Sequence, residues 1–336
     1  MYDWVTALIL LLLGAMATAV DGHSSAGHVT QIFQWNDTTF IENLTILPDG
    51  RLLLVPLSAP QLLILDPRTT NPAPTPVVTL PGVDSVGAIA LVGHNKYAII
   101  GGNHSFFSFI EGSMKVFVVS LDFSLGPNGS IGATVENIVS VPNTTMLNGI
   151  VALPNKRNVI LTNDSIGGRL FRIDTLTSEV TVASGDPAFG RGGNDMVPLG
   201  ANGIDIRNGD LYFTNSAQGR FMRVGLSDDG FPVGEYTTVA QLDGPITLAN
   251  SYDDFAFDER GTAYVALHPG TIMKITPDGD QTIFSGGGAD SIFLHPTSAV
   301  LSNDGESIYV STGGDWENGV SGGGQILNVK IGQAPC

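Results

Sequence analysis

Residues 201–216 read ANGIDIRNGDLYFTNS and carry the clearest structural signal in the chain. Ile204 and Ile206 alternate with polar residues before the pair Asn208-Gly209, and the alternation of apolar residues resumes after it. Alternating apolar residues on both sides of an Asn-Gly pair are typical of a β-hairpin, because both residues of the tight turn need a positive φ. The stretch therefore predicts two antiparallel strands whose open end is polar.

The same hairpin pattern recurs six times along the chain. Its copies begin at the head residues Glu42, Gly87, Asn148, Asn202, Asp253 and Thr297, which lie 44 to 61 residues apart. A third strand follows each hairpin, and a fourth follows five of them. Repeats of this length built from strands alone are typical of β-propellers. We predict an all-β fold, a six-bladed β-propeller with four-stranded antiparallel blades; a β-sandwich or a β-helix is the alternative.

The first strand of the sequence predicts how the ring closes. Residues 28–35 alternate like a strand but precede the first hairpin, and the last copy of the repeat lacks a fourth strand of its own. A strand supplied from the N-terminal side would remove the exposed edge of the last blade. We predict that this strand closes the last blade and that residues 20–336 form a single propeller domain.

The composition fits one large β domain and restricts its partners. The chain has 42 Gly and 19 Pro but only 14% charged residues, which suits short strands joined by turns. Its net charge of −17 repels phosphate backbones and anionic lipid. We therefore expect no nucleic-acid partner and no membrane partner once the leader is removed. The single cysteine, Cys336, allows no internal disulfide.

The N-terminal residues indicate a secretory leader. Residues 5–20 form an apolar run that is short for a membrane span. The run ends in the small residues Ala15, Ala17 and Ala19, and small residues of this kind are typical of a signal-peptidase cleavage site. No Lys or Arg precedes Arg51, so the basic region at the start of a typical signal peptide is missing apart from the amino terminus. An uncleaved anchor is the alternative. We predict a signal peptide at residues 1–19, entry into the secretory pathway and secretion.

Secretion would make the Asn-x-Ser/Thr sequons acceptors for glycans. Asn43 falls within a predicted inner strand, so we expect it to stay unmodified. The predicted glycosylation sites are Asn36, Asn103, Asn128, Asn143 and Asn163. Of these, Asn128 and Asn143 lie in the most loop-like sequence.

The head residues are the first candidates for a functional site, since the first strand of each blade lines the central channel. Glu42, Asn148, Asn202 and Asp253 offer two carboxylates and two carboxamides, which are hard oxygen ligands suited to Ca²⁺ or another divalent cation. Without a metal, carboxyls that meet in a low-dielectric channel have raised pKa values, and one could act as a general acid. The alternative is that these heads only satisfy backbone groups at the strand ends.

Further polar and aromatic residues are expected at the same mouth of the channel, because the second strands end there. Aromatic rings beside a polar ring would hold an apolar ligand and activate one end of it. The predicted substrate-binding residues are His104, Phe106, Asn215, Tyr252, His268, His295, Thr297 and Trp316.

Two insertions interrupt the repeat, at residues 125–130 and 185–199. The second contains Gly190, Gly192 and Gly193, but the strand-then-helix context of a phosphate-binding loop is missing. We predict a mobile loop near the channel mouth instead. The sequence has no Gly-x-Ser-x-Gly motif and no Cys or His spacing typical of zinc sites.

Several short segments match a known group. They are Leu147-Asn-Gly-Ile, Ala201-Asn-Gly-Ile, Leu211-Tyr-Phe-Thr-Asn, Asp253-Asp-Phe-Ala and Pro296-Thr-Ser-Ala. They resemble fungal secreted six-bladed propellers of the gluconolactonase and senescence-marker-protein superfamily. The resemblance implies that Glu42, Asn148, Asn202 and Asp253 match the Glu, two Asn and Asp that bind a divalent ion in its lactonases. Met146 stands where those lactonases have a substrate-binding arginine, which favours an apolar substrate over a sugar lactone.

The chain is most similar to propellers of fungal secondary-metabolite pathways. Some of these act as hetero-Diels–Alderases that join a tropolone-derived o-quinone methide to a terpene such as humulene. The resemblance implies an enzyme with small apolar or aromatic substrates (a terpene and a tropolone or other polyketide). It implies no required cofactor, although Ca²⁺ or another divalent cation could bind in the channel.

Cycloaddition needs an apolar cavity that aligns the two reactants and an acid that helps to expel water. Our hypothesis makes Glu42 or Asp253 that acid, with Asn148 and Asn202 orienting the oxygens. A metal-dependent lactone hydrolase and a non-catalytic ligand-binding propeller are the alternatives, because the fold does not fix the function.

Overall fold

A computed structural model describes residues 28–105, 108–124, 131–315 and 323–332. Across these ranges the chain forms six four-stranded antiparallel sheets and one two-stranded hairpin. The prediction of an all-β, six-bladed propeller is therefore confirmed. The predicted leader at residues 1–19, Phe106, the insertion at 125–130 with its sequon Asn128, and Trp316 lie outside the described residues. Within the described ranges, no helix has the length and apolarity that crossing a membrane requires.

Blades 1 to 5 are built from the channel outwards in the order of the sequence, and blade 6 takes its outermost strand from the N-terminal side. Strand β1, Val29–Gln34, belongs to the last blade. Blade 1 contains β2 Ile41–Ile46, β3 Leu52–Pro56, β4 Gln61–Leu65 and β5 Thr75–Thr79. Blade 2 contains β6 Ser85–Gly93, β7 Lys96–Gly102, β10 Lys115–Asp122 and β11 Gly132–Ser140, and the short hairpin of β8 His104–Ser105 and β9 Ser108–Phe109 lies between its second and third strands. Blade 3 contains β12 Leu147–Leu153, β13 Lys156–Asp164, β14 Arg169–Asp174 and β15 Val180–Ser184.

The second half repeats the arrangement after a 3₁₀ turn at Pro187–Phe189. Its strands are β16 Ala201–Arg207, β17 Asp210–Asn215, β18 Arg220–Leu226 and β19 Pro232–Gln241 of blade 4; β20 Tyr252–Phe257, β21 Ala263–Leu267, β22 Thr271–Ile275 and β23 Gln281–Gly286 of blade 5; and β24 Pro296–Leu301, β25 Ser307–Thr312 and β26 Gln325–Lys330 of blade 6.

The ring closes as the sequence predicts. Strand β1 pairs antiparallel with β26, with Val29 opposite Val329 and Gln34 opposite Gln325. The side chain of Gln325 also donates a hydrogen bond to Gln31 Oε1 at 2.8 Å. The N-terminal strand thus forms the outer strand of the last blade, so the two ends of the chain are joined in one sheet and β26 has no unpaired edge.

The hydrophobic core lies between the blades. In β3, Leu53 and Val55 pack towards blade 2, whereas Leu52 and Leu54 pack towards Ile326 of blade 6. All five residues of this strand are buried. A strand that is covered on both faces needs apolar residues at every position, which explains the uninterrupted run of leucines.

The insertion at residues 185–199 is held in place, which corrects the prediction of a mobile loop. Phe189 is fully buried and stacks on Phe213 with the ring centroids 4.7 Å apart. Asn215 Nδ2 donates to the carbonyls of Ala188 and Gly190, both at 2.8 Å. The glycine-rich sequence hid this anchoring, because it depends on one aromatic residue and on an amide from another part of the chain.

Candidate functional site at the head of the channel

Every inner strand has a β-bulge at its head residue. In β2 the pairing with β3 passes from Ile41 to Asn43 and leaves Glu42 out of the ladder. The same interruption falls at the heads of the other five blades, Gly87, Asn148, Asn202, Asp253 and Thr297. A bulge adds one unpaired residue and re-aims its side chain. The head residues are therefore released from the sheets at one end of the channel.

The polar heads are buried and are connected around the ring. Thr297 Oγ1 donates to the Ile41 carbonyl at 2.6 Å, which joins the last blade to the first. Asn202 is hydrogen-bonded to Asp253, and its Nδ2 donates to Ser216 Oγ at 3.0 Å. The structure thus places the predicted catalytic residues at one end of the channel and joins two of them, Asn202 and Asp253, directly.

Glu42 and Asp253 are close enough to interact electrostatically. Burial raises the pKa of Glu42 well above its usual value, and the charges of Asp253 and Asp254 raise it further. Burial also raises the pKa of Asp253, with a further rise from Asp254 and a smaller opposing effect of the hydrogen bond from Asn202. Because burial and like charge both disfavour ionisation, the pKa values of the two carboxyls lie well above their usual values, and ionising one makes it harder to ionise the other.

Two histidines stand beside Asp253. His268 Nε2 lies 3.1 Å from Asp253 Oδ2, and the ring of His268 meets that of His295 edge to face at 5.5 Å between centroids. His295 is buried, and its Nδ1 lies 3.0 Å from the Gly314 carbonyl, so this nitrogen carries the hydrogen. The contact between His268 and Asp253 gives the site a place where a proton can lie on either partner.

A second carboxyl layer, which sequence reasoning missed, is centred on Asp254. Its Oδ2 accepts hydrogen bonds from Asn43 Nδ2 at 2.8 Å and from Ser298 Oγ at 3.0 Å, so one carboxyl connects blades 5, 1 and 6. Its Oδ1 accepts a hydrogen bond from the Phe255 amide at 2.8 Å. Burial raises the pKa of Asp254 to about 6. The doublet Asp253-Asp254 was the available signal, but only the bulge brings both side chains to the channel.

Asp205 adds a fourth carboxyl to this region. Burial raises the pKa of Asp205 to about 6, and the charge of Asp254 contributes to the rise. In the part of the chain that the structure describes, no Lys or Arg forms an ion pair with Glu42, Asp253 or Asp254. The head of the channel therefore concentrates carboxyl groups; of the basic side chains, Arg207 acts on Asp205 and His268 contacts Asp253.

His104 lies at the end of the second strand of blade 2. Its Nε2 lies 2.7 Å from the Leu57 carbonyl of blade 1, so this nitrogen carries the hydrogen. The ring of Phe109 lies 5.6 Å from that of His104, centroid to centroid. Phe109 thus supplies an aromatic neighbour that the sequence analysis did not select, and Leu57 fixes the tautomer of His104.

Three other predicted substrate-binding residues have their polar groups engaged within the protein. Asn215 holds the insertion through Nδ2, and its Oδ1 accepts from the Gln218 amide at 2.9 Å. The ring of Tyr252 packs in the core between blades 4 and 5, and its hydroxyl is hydrogen-bonded to Gln281 of the outer strand. Thr297 closes the ring as described above. A direct role of these residues in binding stays a prediction.

The head ring has the chemistry that a divalent cation requires. Glu42 and Asp253 supply carboxylates, and Asn202 Oδ1 is buried without a hydrogen-bond partner among the described residues. Asn148 also has an unpaired buried amide atom, assigned as Nδ2, and the two amide atoms exchange places by a flip. No three or more His, Cys, Asp or Glu side chains of the described residues are arranged to hold a metal ion. A cation here would therefore depend on the two asparagines.

The sequons differ in exposure. Asn36 and Asn143 are exposed, and Asn103 is half-buried. Asn163 is fully buried, and its Nδ2 donates to the Ala201 carbonyl and to Ser165 Oγ. A glycan replaces one of the two hydrogens on that nitrogen, so it would break at least one of these hydrogen bonds. Asn43 is buried in β2, as expected, and its amide serves Asp254. Glycosylation of the exposed sequons stays a prediction.

Fold and site together define a six-bladed β-propeller with buried carboxyls of raised pKa at one mouth of its channel. No protein-family model matches the chain. The chain is 26% identical over 333 residues to a Phoma sp. protein named "Putative hetero-Diels-Alderase", with 90% of each chain covered. It is 25% identical over 318 residues to "Putative hetero-Diels-Alderase asR5" of Sarocladium schorii, with 83% of this chain and 77% of that protein covered. These matches confirm the resemblance inferred from the short sequence segments.

Solved structures support the fold. A luciferin-regenerating enzyme has a TM-score of 0.63 at 14% identity and covers 91% of this chain and 95% of its own. The calcium-binding protein regucalcin of Agrobacterium tumefaciens has a TM-score of 0.57 at 15% identity, covering 90% and 94%. A gluconolactonase of Xanthomonas campestris has a TM-score of 0.57 at 10% identity, covering 91% and 90%. At these identities the likeness concerns the propeller architecture alone.

Proposed function

We propose that the protein is an enzyme of secondary-metabolite biosynthesis that catalyses a hetero-Diels–Alder cycloaddition at the head of its channel. The substrates in this proposal are a tropolone-derived o-quinone methide and a terpene. The names of the two curated relatives support the reaction class. The single structural observation that carries the proposal is the buried pair Glu42 and Asp253, whose pKa values are raised and which no Lys or Arg of the described residues neutralises.

The acid acts in the step that prepares the diene. A protonated Glu42 or Asp253 transfers its proton to the hydroxyl of a tropolone carbinol, and the C–O bond breaks with its electron pair leaving on water. The ring hydroxyl then returns its proton to the carboxylate. This gives a neutral o-quinone methide and restores the carboxylic acid, so the step consumes nothing besides the carbinol.

His268 is suited to support this proton transfer. Its Nε2 contacts Asp253 Oδ2, so a proton can move between the two groups as the charge on Asp253 changes. Asn148 and Asn202 would orient the substrate oxygens through the amide atoms that have no partner within the described residues. The cycloaddition itself forms two bonds together and asks the protein only to align the reactants and to exclude water.

The test is a defined incubation with the purified full-length chain. A tropolone carbinol and humulene are mixed with and without the protein, and the adducts are separated by chiral chromatography. We expect faster formation of the adduct and a single stereoisomer in the presence of the protein. An unchanged rate together with the same isomer mixture as in buffer would reject the proposal.

Metal-dependent lactone hydrolysis is the second candidate, and the unpaired Asn202 Oδ1 favours it. Glu42, Asn148, Asn202 and Asp253 would hold the cation, which would supply a Lewis acid that activates water. Elemental analysis of protein purified without chelator, together with its melting temperature with and without EDTA, separates the two readings. A stoichiometric divalent ion whose removal lowers the melting temperature and abolishes lactone hydrolysis would move this candidate to first place.

A further inference from the structure

The loops around the head of the channel carry charge of one sign. Six loops connect each blade to the next at this end, at residues 35–40, 80–84, 141–146, 185–200, 242–251 and 287–295. Their only Lys or Arg is Arg191. Their acidic residues are Asp37, Asp84, Asp186, Asp195, Asp243 and Asp290. A ligand that approaches this mouth therefore meets a negative potential.

The other bases near this end are engaged within the protein. Lys115, Arg169 and Arg220 are each the first residue of the third strand of a blade, and their side chains contact neighbouring loops or strands. Lys115 Nζ donates to the Gly82 carbonyl at 2.7 Å, Arg169 pairs with Asp164 at 3.3 Å, and Arg220 donates to Gln241 at 3.0 Å. They do not supply a cationic group to the carboxyls of the head ring.

Asp254 places a carboxyl group with three hydrogen-bond donors beneath the ring. Three donors, the side chains of Asn43 and Ser298 and the Phe255 amide, surround its two oxygens. Hydrogen bonds donated to a carboxyl stabilise its ionised form, so the three donors favour a negative charge on Asp254. The titratable groups that interact electrostatically with it are Glu42, Asp205 and Asp253, and all three are acids.

A further observation points to what the ring lacks. Asn202 Oδ1 is buried in the ring beside Asp253 and accepts no hydrogen bond from any described residue. A buried acceptor without a donor costs free energy unless a ligand or water supplies that donor. The ring therefore offers hydrogen-bond acceptors and carboxyl groups to a ligand. A ligand that brings a hydrogen-bond donor or a positive charge would complement them.

We propose that the head site selects apolar ligands that carry or develop positive charge beside the ring, and that it rejects anions. The inference rests on the proposed function for the reaction, because loss of water from a protonated carbinol develops positive charge on the substrate ring. Preorganised negative charge aimed at such a centre stabilises it without any reorganisation. Asp254 acts as a positioning residue that supplies this potential from beneath the ring.

The first experiment compares three ligands that share one ring and differ in charge. Benzylamine, benzyl alcohol and benzoate are titrated into EDTA-treated full-length protein at neutral pH by calorimetry. We expect benzylamine to bind at least about tenfold more tightly than benzoate, with benzyl alcohol between them, and the ratio to shrink as salt screens the rim. Benzylamine that binds no better than benzoate at low salt, or not at all, would overturn the inference.

The second experiment assigns the potential to Asp254. Asp254→Asn keeps the size of the side chain and removes its charge, and Glu259→Gln makes the same change of net charge at an exposed turn of the same blade. We expect Asp254→Asn to weaken benzylamine at least about fivefold and benzyl alcohol less than about twofold, and Glu259→Gln to change neither. An equal loss for both ligands would show a merely structural role and would reject the assignment.

Two arms keep the outcome decisive. If Asp254→Asn does not fold, the salt dependence of the wild-type ratio decides the charge preference. If benzoate binds only after Ca²⁺ is added and benzylamine does not bind, the positive charge of the site is a metal ion and the inference fails. Since binding is measured without turnover, a failed cycloaddition assay leaves this result intact, and a failed charge preference leaves the cycloaddition assay intact.

Discussion

Blades 4 and 5 have the same bulge in their inner strands, but its second residue is a glycine in blade 4 and a carboxyl residue in blade 5. In blade 4 the bulge holds Asn202 and Gly203, and in blade 5 the corresponding places hold Asp253 and Asp254. A Cβ on Gly203 would lie 2.0 Å from Asp254 Oδ1. The glycine of one blade therefore makes the space that the carboxyl of the next blade fills. The carboxyl layer beneath the ring exists because the second bulge residue is Gly203 in blade 4 and Asp254 in blade 5.

The two blades that follow blade 5 around the ring complete the contrast. Blades 6 and 1 place Ser298 and Asn43 after their heads, and both side chains donate to Asp254 across the channel. One blade supplies the carboxyl, one supplies the space and two supply the donors. The repeat thus provides a common backbone, and the differences between its copies provide the chemistry.

The largest expected effect comes from the heads themselves. Glu42→Gln and Asp253→Asn keep the shape of each side chain but remove its acid, so turnover should fall about 10²- to 10⁴-fold for the one that donates the proton. The measurement is the rate of adduct formation from the tropolone carbinol and humulene. Glu259→Gln serves as the matched control and should leave the rate unchanged. If both head variants retain the wild-type rate, neither carboxyl is the acid.

The comparison of blades 4 and 5 is broken most directly at Gly203. Gly203→Ala forces a methyl group against Asp254, so we expect a loss of at least about 3 kcal/mol in the free energy of unfolding, measured with urea. Gly185→Ala is the control, because a Cβ at that position meets nothing within 4 Å. Equal stability of the two variants would contradict the close approach of the blades. The double variant Gly203→Ala with Asp254→Ala should recover part of the loss.

The carboxyl layer should also set how stability depends on pH. Asp205 has a pKa of about 6 in the folded protein, against an ordinary value of 3.8. Between these values the folded state binds more protons than the unfolded chain, so the free energy of unfolding falls as the pH rises from about 4 to 6. The contribution of one such carboxyl is at most about 3 kcal/mol, at about 1.4 kcal/mol per pH unit.

Urea unfolding at intervals from about pH 4 to 7 measures this slope. Asp205→Asn removes the titrating group and should make the decline with pH shallower than in the wild type. A variant whose decline is as steep as that of the wild type would show that Asp205 titrates normally in the folded protein.

The smallest effect separates structural from substrate-binding asparagines. Asn215→Ala removes three hydrogen bonds that anchor residues 185–199 and the following turn, so we expect a loss of about 2 kcal/mol in the free energy of unfolding. The KM should stay within about twofold of the wild type, since these bonds leave Asn215 no free polar group. Asn36→Ala at the exposed surface is the control. A large rise in KM with unchanged stability would return Asn215 to the binding site.

Particular residues show how far the sequence could be read. The Asn208-Gly209 hairpin adopts the predicted pairing, with Ile206 opposite Leu211, because turn chemistry and alternation are local. Asp254 and the anchoring of residues 185–199 were missed, since both depend on partners far away in the chain. Asn43 was read correctly as part of an inner strand, yet its role as a donor to Asp254 appears only when blades 1 and 5 meet across the channel.

The sequence by itself determined the repeat, the number of blades, the closing strand and the polar identity of the heads. These follow from turn residues and from the period of the apolar positions, which act over a few residues. Only the tertiary structure decided which polar side chains lie together in the channel and which form hydrogen bonds that anchor loops. It also decided which carboxyls are buried away from solvent. Burial and like charge depend on every blade at once, and no single repeat contains that information.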